Sequence, residues 1–66
     1  MNAIYKCTKN YHPFKEGFYY VTDLITGTQV ILFECNEEGK VVDDAPIILN
    51  IPQILECLEY RYIQKI

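Results

Sequence analysis

Nucleophilic chemistry in this chain would have to come from a thiol and an imidazole near its beginning. Cys7 and His12 lie five positions apart, and His12 is the only histidine. A thiol acts as a catalytic nucleophile when a base lies within hydrogen-bonding reach and a third group orients that base. The sequence offers no third group for this pair, so we predict that the protein is not an enzyme.

The three cysteines do not have the spacing of metal ligands. Cys7, Cys35 and Cys57 are far apart in the sequence and form no C-x-x-C pair. A structural zinc site needs closely grouped thiolate and imidazole ligands, which three scattered cysteines and one histidine do not supply. We therefore expect reduced, partly buried thiols that pack as small hydrophobic groups, with no metal and no cofactor.

Paired carboxylates occur twice, as Glu37-Glu38 and Asp43-Asp44. Both pairs fall in predicted turns, where acidic side chains are common and solvated. A calcium site needs about six to eight oxygen ligands, which is more than either turn offers. The paired acids are therefore interpreted as surface residues.

Charged residues are unevenly distributed along the chain. The net charge is −3 at pH 7, which disfavours binding to nucleic acid or to an anionic membrane. Residues 1–15, however, contain three lysines and no acidic residue. An alternative function is therefore a small barrel that binds single-stranded nucleic acid. Its phosphate contacts would be Lys6, Lys9 and Lys15, and its base-stacking rings would be Tyr11 and Phe14.

The aromatic residues number nine, more than one small core can enclose. A chain of this length buries only roughly 60% of the surface that its unfolded form exposes. Tyr60 and Tyr62 are the first candidates for surface contacts, and Tyr11 and Phe14 are the second. We predict a protein-interaction module that binds another protein, including a second copy of itself. A structural homodimer without further activity is the remaining alternative.

The strands that position these residues are predicted from runs of β-branched and aromatic residues between turns. The first three cover residues 3–8, 18–25 and 29–35. A fourth begins near residue 40, is interrupted at 43–46 and resumes at 47–49. Gly17 closes the first loop, and Thr26-Gly27 forms a hairpin turn between the second and third strands.

Residues 50–53 have the pattern of a helix start. Asn50 is a favourable cap, Gln53 completes a capping box, and Pro52 is tolerated in the first turn. One helical face then carries Ile51, Ile54, Leu55 and Leu58.

The end of the chain allows two interpretations. The helix can continue through Tyr62 and Ile66, or residues 60–65 can form a last strand, which their β-branched and aromatic content favours. The predicted core consists of Tyr20, Val30, Leu32, Phe33, Ile48, Leu55 and Leu58.

The opening of the chain resembles that of SH3 domains. Ala3-Ile4-Tyr5 is followed by a loop and by Phe14-Lys15-Glu16-Gly17, as an Ala-Leu-Tyr strand and a Phe-x-x-Gly turn are in that family. The resemblance implies one SH3-like antiparallel barrel over residues 1–66, with about five strands and one short helix near the C-terminus. Peptide-binding SH3 domains also carry a tryptophan after an acidic loop. This chain has no tryptophan and a basic first loop, so proline-rich peptides are not implied.

Small proteins of bacteriophages and other mobile elements often contain an F-x-x-G-x-x-Y-x-V segment. This chain is similar to them at Phe14, Gly17, Tyr20 and, one position early, Val21. That resemblance implies an accessory or host-modulating protein that acts by binding a partner protein.

The first ten residues predict a cytoplasmic location. They lack the apolar stretch of a secretion signal. No apolar run in the chain approaches the ~18 residues of a membrane span.

Overall fold

One antiparallel sheet and one helix make up the fold. A computed structural model describes residues 3–66 of the chain. The elements are, in order, β1 (Ile4–Cys7), β2 (Tyr19–Ile25), β3 (Gln29–Cys35), β4 (Ile47–Asn50), α1 (Ile51–Glu59) and β5 (Ile63–Lys65). The predicted mainly β fold, with five antiparallel strands and a short helix near the C-terminus, is confirmed.

The strands lie side by side in the order β4-β3-β2-β1-β5, and all neighbouring pairs are antiparallel. β4 and β5 form the two edges and are not paired with each other, so the sheet is open. The sequence had predicted a closed barrel. Closure would need a hydrogen-bonded ladder between these edges, which are only four and three residues long. The resemblance to SH3 domains stays a prediction.

The β2–β3 hairpin forms where the sequence predicted it. The Thr26 N–H donates to the Gln29 carbonyl at 2.8 Å. The Thr26 hydroxyl in turn accepts from the Gln29 N–H at 2.9 Å. A register shift on either side of Asp23 marks a β-bulge in β2, which the sequence analysis did not predict.

Helix α1 begins with the predicted capping box. Asn50 Oδ1 accepts from the Gln53 N–H at 2.8 Å, and Gln53 Oε1 accepts from the Asn50 N–H at 2.9 Å. The cap turns the chain directly from edge strand β4 into α1, which then packs against β3, β4 and β5. Within residues 3–66, no helix has the length and apolar character needed to cross a membrane.

Most strand boundaries lie within one residue of the prediction, but the fourth and last strands begin later than predicted. The fourth strand begins at Ile47 rather than near residue 40, where Val41 forms only an isolated bridge with Cys35. The last strand exists, as favoured, but begins at Ile63 rather than at residue 60, because α1 continues to Glu59.

The core lies between α1 and one face of the sheet, which we call the inner face. Its buried members are Cys7, Phe14, Tyr20, Val30, Leu32, Leu49, Ile54, Cys57 and Ile63. Among the predicted core residues, Tyr20, Val30 and Leu32 are buried, and Phe33 and Leu58 are partly buried. All three cysteines are free and buried, as expected for thiols that pack as hydrophobic groups.

The prediction that Ile48 and Leu55 are buried is wrong, because these residues are 54% and 57% exposed. Neighbouring residues of a strand point to opposite faces, and in β4 it is Leu49 that points inward. In α1 the buried residues are Ile54 and Cys57. Leu55 lies about 100° around the helix from Ile54, which turns it toward solvent.

The opposite face of the sheet, which we call the outer face, is also apolar. One row across β2, β3 and β4 consists of Leu24, Ile31 and Ile48. The turn after β3 approaches another part of this face, because a Cβ on Gly39 would lie 2.7 Å from Ile4 Cδ1. The φ of Gly39 is +87°. Glycine fits this position because it has no Cβ and tolerates a positive φ.

Candidate functional site

The end of helix α1 fixes the position of two predicted contact residues. The Arg61 N–H donates to the Leu58 carbonyl at 3.2 Å, and the Tyr62 N–H donates to the Cys57 carbonyl at 2.9 Å. Arg61 has a φ of 59°. These bonds and this φ define a Schellman motif, which ends the helix and places Tyr60 and Tyr62 on either side of a left-handed residue.

Thr8, which directly follows β1, holds this segment in place. Its N–H donates to the Tyr62 carbonyl at 2.9 Å. Its hydroxyl donates to the Arg61 carbonyl. The C-terminal tyrosines are therefore anchored to the point where the first loop begins.

The loop between β1 and β2 brings a third tyrosine to the same place. Tyr11 and Phe14 exchange two backbone hydrogen bonds, of 3.1 and 2.6 Å, across a turn that contains a cis His12-Pro13 peptide bond. The turn directs Phe14 into the core and leaves Tyr11 partly exposed.

The three tyrosines form one cluster. The rings of Tyr11 and Tyr62 stack with centroids 4.1 Å apart and an interplanar angle of 4°. The ring of Tyr60 lies 6.1 Å from that of Tyr62. Tyr11 is 38% and Tyr60 57% exposed. We call Tyr11, Tyr60 and Tyr62 the tyrosine surface; it joins residues that the sequence analysis had placed in two separate candidate sites.

Phe14, the fourth predicted contact residue, has no accessible ring. It is only 2% exposed and packs edge-on against Tyr20, with ring centroids 4.8 Å apart. The prediction that it contacts a partner is therefore corrected: Phe14 anchors the loop that carries Tyr11. The Tyr20 hydroxyl adds to this anchor by accepting from the Lys15 N–H at 2.9 Å.

A cavity of about 210 Å³ lies beside the tyrosine surface and shares Tyr11 with it. Its lining consists of Tyr11, His12, Pro13, Leu49, Gln53, Glu56 and Cys57. His12 therefore shares a cavity with Cys57, whereas the sequence analysis had considered it beside Cys7. Gln53 and Glu56 were not predicted as site residues. Their spacing of three on a helix was the signal available, because it places them on one face.

Negative charge and burial raise the pKa of three groups in and beside this region: Tyr11, Cys57 and Cys7. The charge of Glu56 raises the pKa of Tyr11, and partial burial raises that pKa further. Burial also raises the pKa of the Cys57 and Cys7 thiols. Because these thiols are held protonated at neutral pH, they are poor nucleophiles.

The lysines of the predicted nucleic-acid site are exposed, but the aromatic rings beside them are not those of Tyr11 and Phe14. Lys6 Nζ is 5.7 Å from the centroid of Tyr19, and Lys15 Nζ is 5.7 Å from that of Phe18. Lys9 is exposed as well. The expected platform of Tyr11 and Phe14 does not form, since the ring of Phe14 is buried.

No protein-family model, curated protein or solved structure matches this chain. Within residues 3–66, no group of three or more His, Cys, Asp or Glu side chains is placed to hold a metal ion. Function therefore has to follow from the geometry of the tyrosine surface and its cavity.

Proposed function

We propose that the protein is an interaction module that binds a partner protein through the tyrosine surface. The observation that carries this proposal is the stack of the exposed Tyr11 on the partly buried Tyr62, with the exposed Tyr60 beside it. Tyrosine rings offer large apolar contact area, and their hydroxyls remain hydrogen-bonded to water or to a partner. Because a tyrosine side chain has few rotatable bonds, it loses little entropy when it is fixed by binding.

Arg61 supports the same surface. It is exposed and lies between Tyr60 and Tyr62 in the left-handed conformation, which is usually taken by glycine at the end of a helix. This conformation costs a residue with a side chain about 1–2 kcal/mol. Arginine and tyrosine are enriched among residues that dominate binding energies. An arginine that takes this conformation at a cost to stability fits a role in binding.

Photo-crosslinking in the cells that produce the protein tests this proposal. One variant carries p-benzoylphenylalanine in place of Tyr60, and a control carries it in place of Leu24, which is 51% exposed on the outer face. We expect position 60 to give a covalent adduct with a second protein, and position 24 not to give that adduct. The further substitution Tyr11→Ser should remove the adduct at position 60. No adduct at position 60, or the same adduct from both positions, would overturn the proposal.

A second copy of the chain is a second candidate partner, and the outer face favours it. The row of Leu24, Ile31 and Ile48 reaches the edge strand β4. Two copies paired antiparallel along β4 would make their apolar rows continuous and cover an open edge.

Sedimentation velocity at increasing protein concentration tests this second candidate. The wild type should form a dimer, and Ile48→Lys should remain a monomer. Leu55→Lys is the matched control, because Leu55 is equally exposed but lies on the helix. A monomeric wild type, or equal loss of the dimer in both variants, contradicts self-association through β4.

Single-stranded nucleic acid is a weaker candidate, because nine acidic residues oppose six basic ones. We expect no salt-dependent binding to single-stranded DNA or RNA. Binding that weakens with salt and is lost on Lys6→Gln and Lys15→Gln substitution would favour the nucleic-acid alternative instead.

A further inference from the structure

The cavity beside the tyrosine surface combines an aromatic wall with a carboxylate. Tyr11 contributes the aromatic wall, and Glu56 of helix α1 contributes the carboxylate. The cavity and the tyrosine surface have Tyr11 in common, so a partner seated on the three tyrosines would reach the edge of the cavity. A partner side chain next to that contact can therefore enter it.

The negative charge at the cavity comes from Glu56. Among the lining residues Glu56 is the only carboxylate, and none is a lysine or an arginine. The carboxylate of Glu56 is close enough to raise the pKa of the Tyr11 hydroxyl. The imidazole of His12 also lines the cavity and is exposed to solvent.

We propose that this cavity binds a cationic side chain of the partner protein, and that arginine fits it best. This inference rests on the proposed function, because it identifies the partner group that the tyrosine surface brings to the cavity. A guanidinium is planar, stacks on aromatic rings and pairs with a carboxylate through two parallel hydrogen bonds. A lysine ammonium offers only a compact charge, so it should bind more weakly at the same position.

The size and polarity of the cavity argue against other groups. A volume of about 210 Å³ has room for about seven water-sized groups, which is sufficient for the end of an arginine side chain. A phosphate or carboxylate would be repelled by Glu56. An apolar side chain would remove water from Glu56 without replacing its hydrogen bonds, and that loss is unfavourable.

Nuclear magnetic resonance titration of the full chain with capped tripeptides tests the inference. The peptides are Gly-Arg-Gly, Gly-Lys-Gly and Gly-citrulline-Gly, where citrulline has nearly the shape of arginine but no charge. We expect the arginine peptide to shift the amide signals of Tyr11, His12 and residues 53–57. The lysine peptide should give smaller shifts at the same positions, and the citrulline peptide should give none.

Two substitutions on the same helix separate a local contact from the overall charge. Glu56→Gln should raise the Kd of the arginine peptide about tenfold, as expected for the loss of a charge-assisted hydrogen bond. Glu59→Gln makes the same change in charge, but Glu59 does not line the cavity, so the Kd should change less than about twofold. Both residues are exposed, so both variants should fold.

Two results would overturn the inference: equal binding of the arginine and citrulline peptides, or equal effects of the two substitutions. Neither result affects the crosslink at position 60. A retained crosslink with no arginine-specific binding leaves the proposed function standing and removes only this inference. Loss of the crosslink with intact arginine binding removes the proposed function of the tyrosine surface and leaves a cation-binding cavity.

Discussion

Replacing Arg61 by glycine should stabilise the protein. Arg61 has a φ of 59° at the end of α1, and this left-handed conformation costs a residue with a Cβ about 1–2 kcal/mol. Glycine avoids that cost but makes the unfolded chain more flexible, which costs about 0.4–1 kcal/mol. The bonds of Arg61 to Leu58 and Thr8 use its backbone, so they remain in the variant. The net gain is about 0.5–1 kcal/mol, which corresponds to a rise in Tm of about 2–8 °C for a domain of this size.

Thermal unfolding of three proteins measures this effect. Arg61→Ala is the control, because alanine removes the charge and the long side chain but keeps the Cβ. We expect the Tm of Arg61→Ala to lie within about 2 °C of wild type and that of Arg61→Gly to be higher than both. If Arg61→Gly melts at or below the temperature of Arg61→Ala, the left-handed conformation is not a source of strain. The proposed function adds a second expectation: Arg61→Gly should weaken the crosslink at position 60 while it raises the Tm.

The remaining stability predictions concern the core, the helix start and high pH. Leu32→Ala should lower the free energy of unfolding by about 2–5 kcal/mol, because Leu32 is 0% exposed. Leu55→Ala should cost less than about 1 kcal/mol, because Leu55 is 57% exposed; urea unfolding compares the two, and equal losses would contradict the assigned helix face. Asn50→Ala should lower the free energy of unfolding by about 1 kcal/mol, because it removes the cap acceptor. Asn50→Asp keeps an acceptor, so its Tm should stay close to that of wild type. Burial raises the pKa of the three thiols above 9.0 and that of Tyr20 above 10.0, so the native state keeps protons that the unfolded chain releases. The free energy of unfolding should therefore have its full value below about pH 9 and decrease above it. A free energy from urea unfolding that is unchanged between neutral pH and pH 10 would contradict this.

The features that the sequence predicted are those determined by neighbouring residues. The hairpin at Thr26 follows from a turn between two runs of β-formers, and the start of α1 follows from the pairing of Asn50 with Gln53. Both depend on contacts within a few positions of the chain. Burial depends on how α1 is rotated against the sheet. For this reason the sequence predicted Leu55, an apolar residue, in the core. The helix face that meets the sheet carries Cys57 instead.

The candidate site was predicted only in parts. The sequence marked Tyr11, Tyr60 and Tyr62 as surface aromatics, but it gave no reason for them to meet. Their meeting depends on the pairing of β1 with β5 and on the bond from Thr8 to the Tyr62 carbonyl. The cavity was not predicted, because it forms between the first loop and α1, which are far apart in the sequence.

The tyrosine surface depends on the shortest strand of the sheet, and this dependence leads to a prediction about binding. β5 has three residues and pairs only with β1, whereas β3 is paired on both sides. If β5 separates from β1, the Thr8 bonds break and Tyr62 leaves Tyr11, at a lower cost than unfolding the whole domain. A partner that contacts both Tyr11 and Tyr62 would hold β5 in place. Hydrogen exchange should therefore slow more at the amides of residues 62–66 than at those of β3 when the crosslinked partner is bound. Equal slowing in both strands would show that the partner stabilises the fold as a whole, and slowing in β3 alone would place it on another surface.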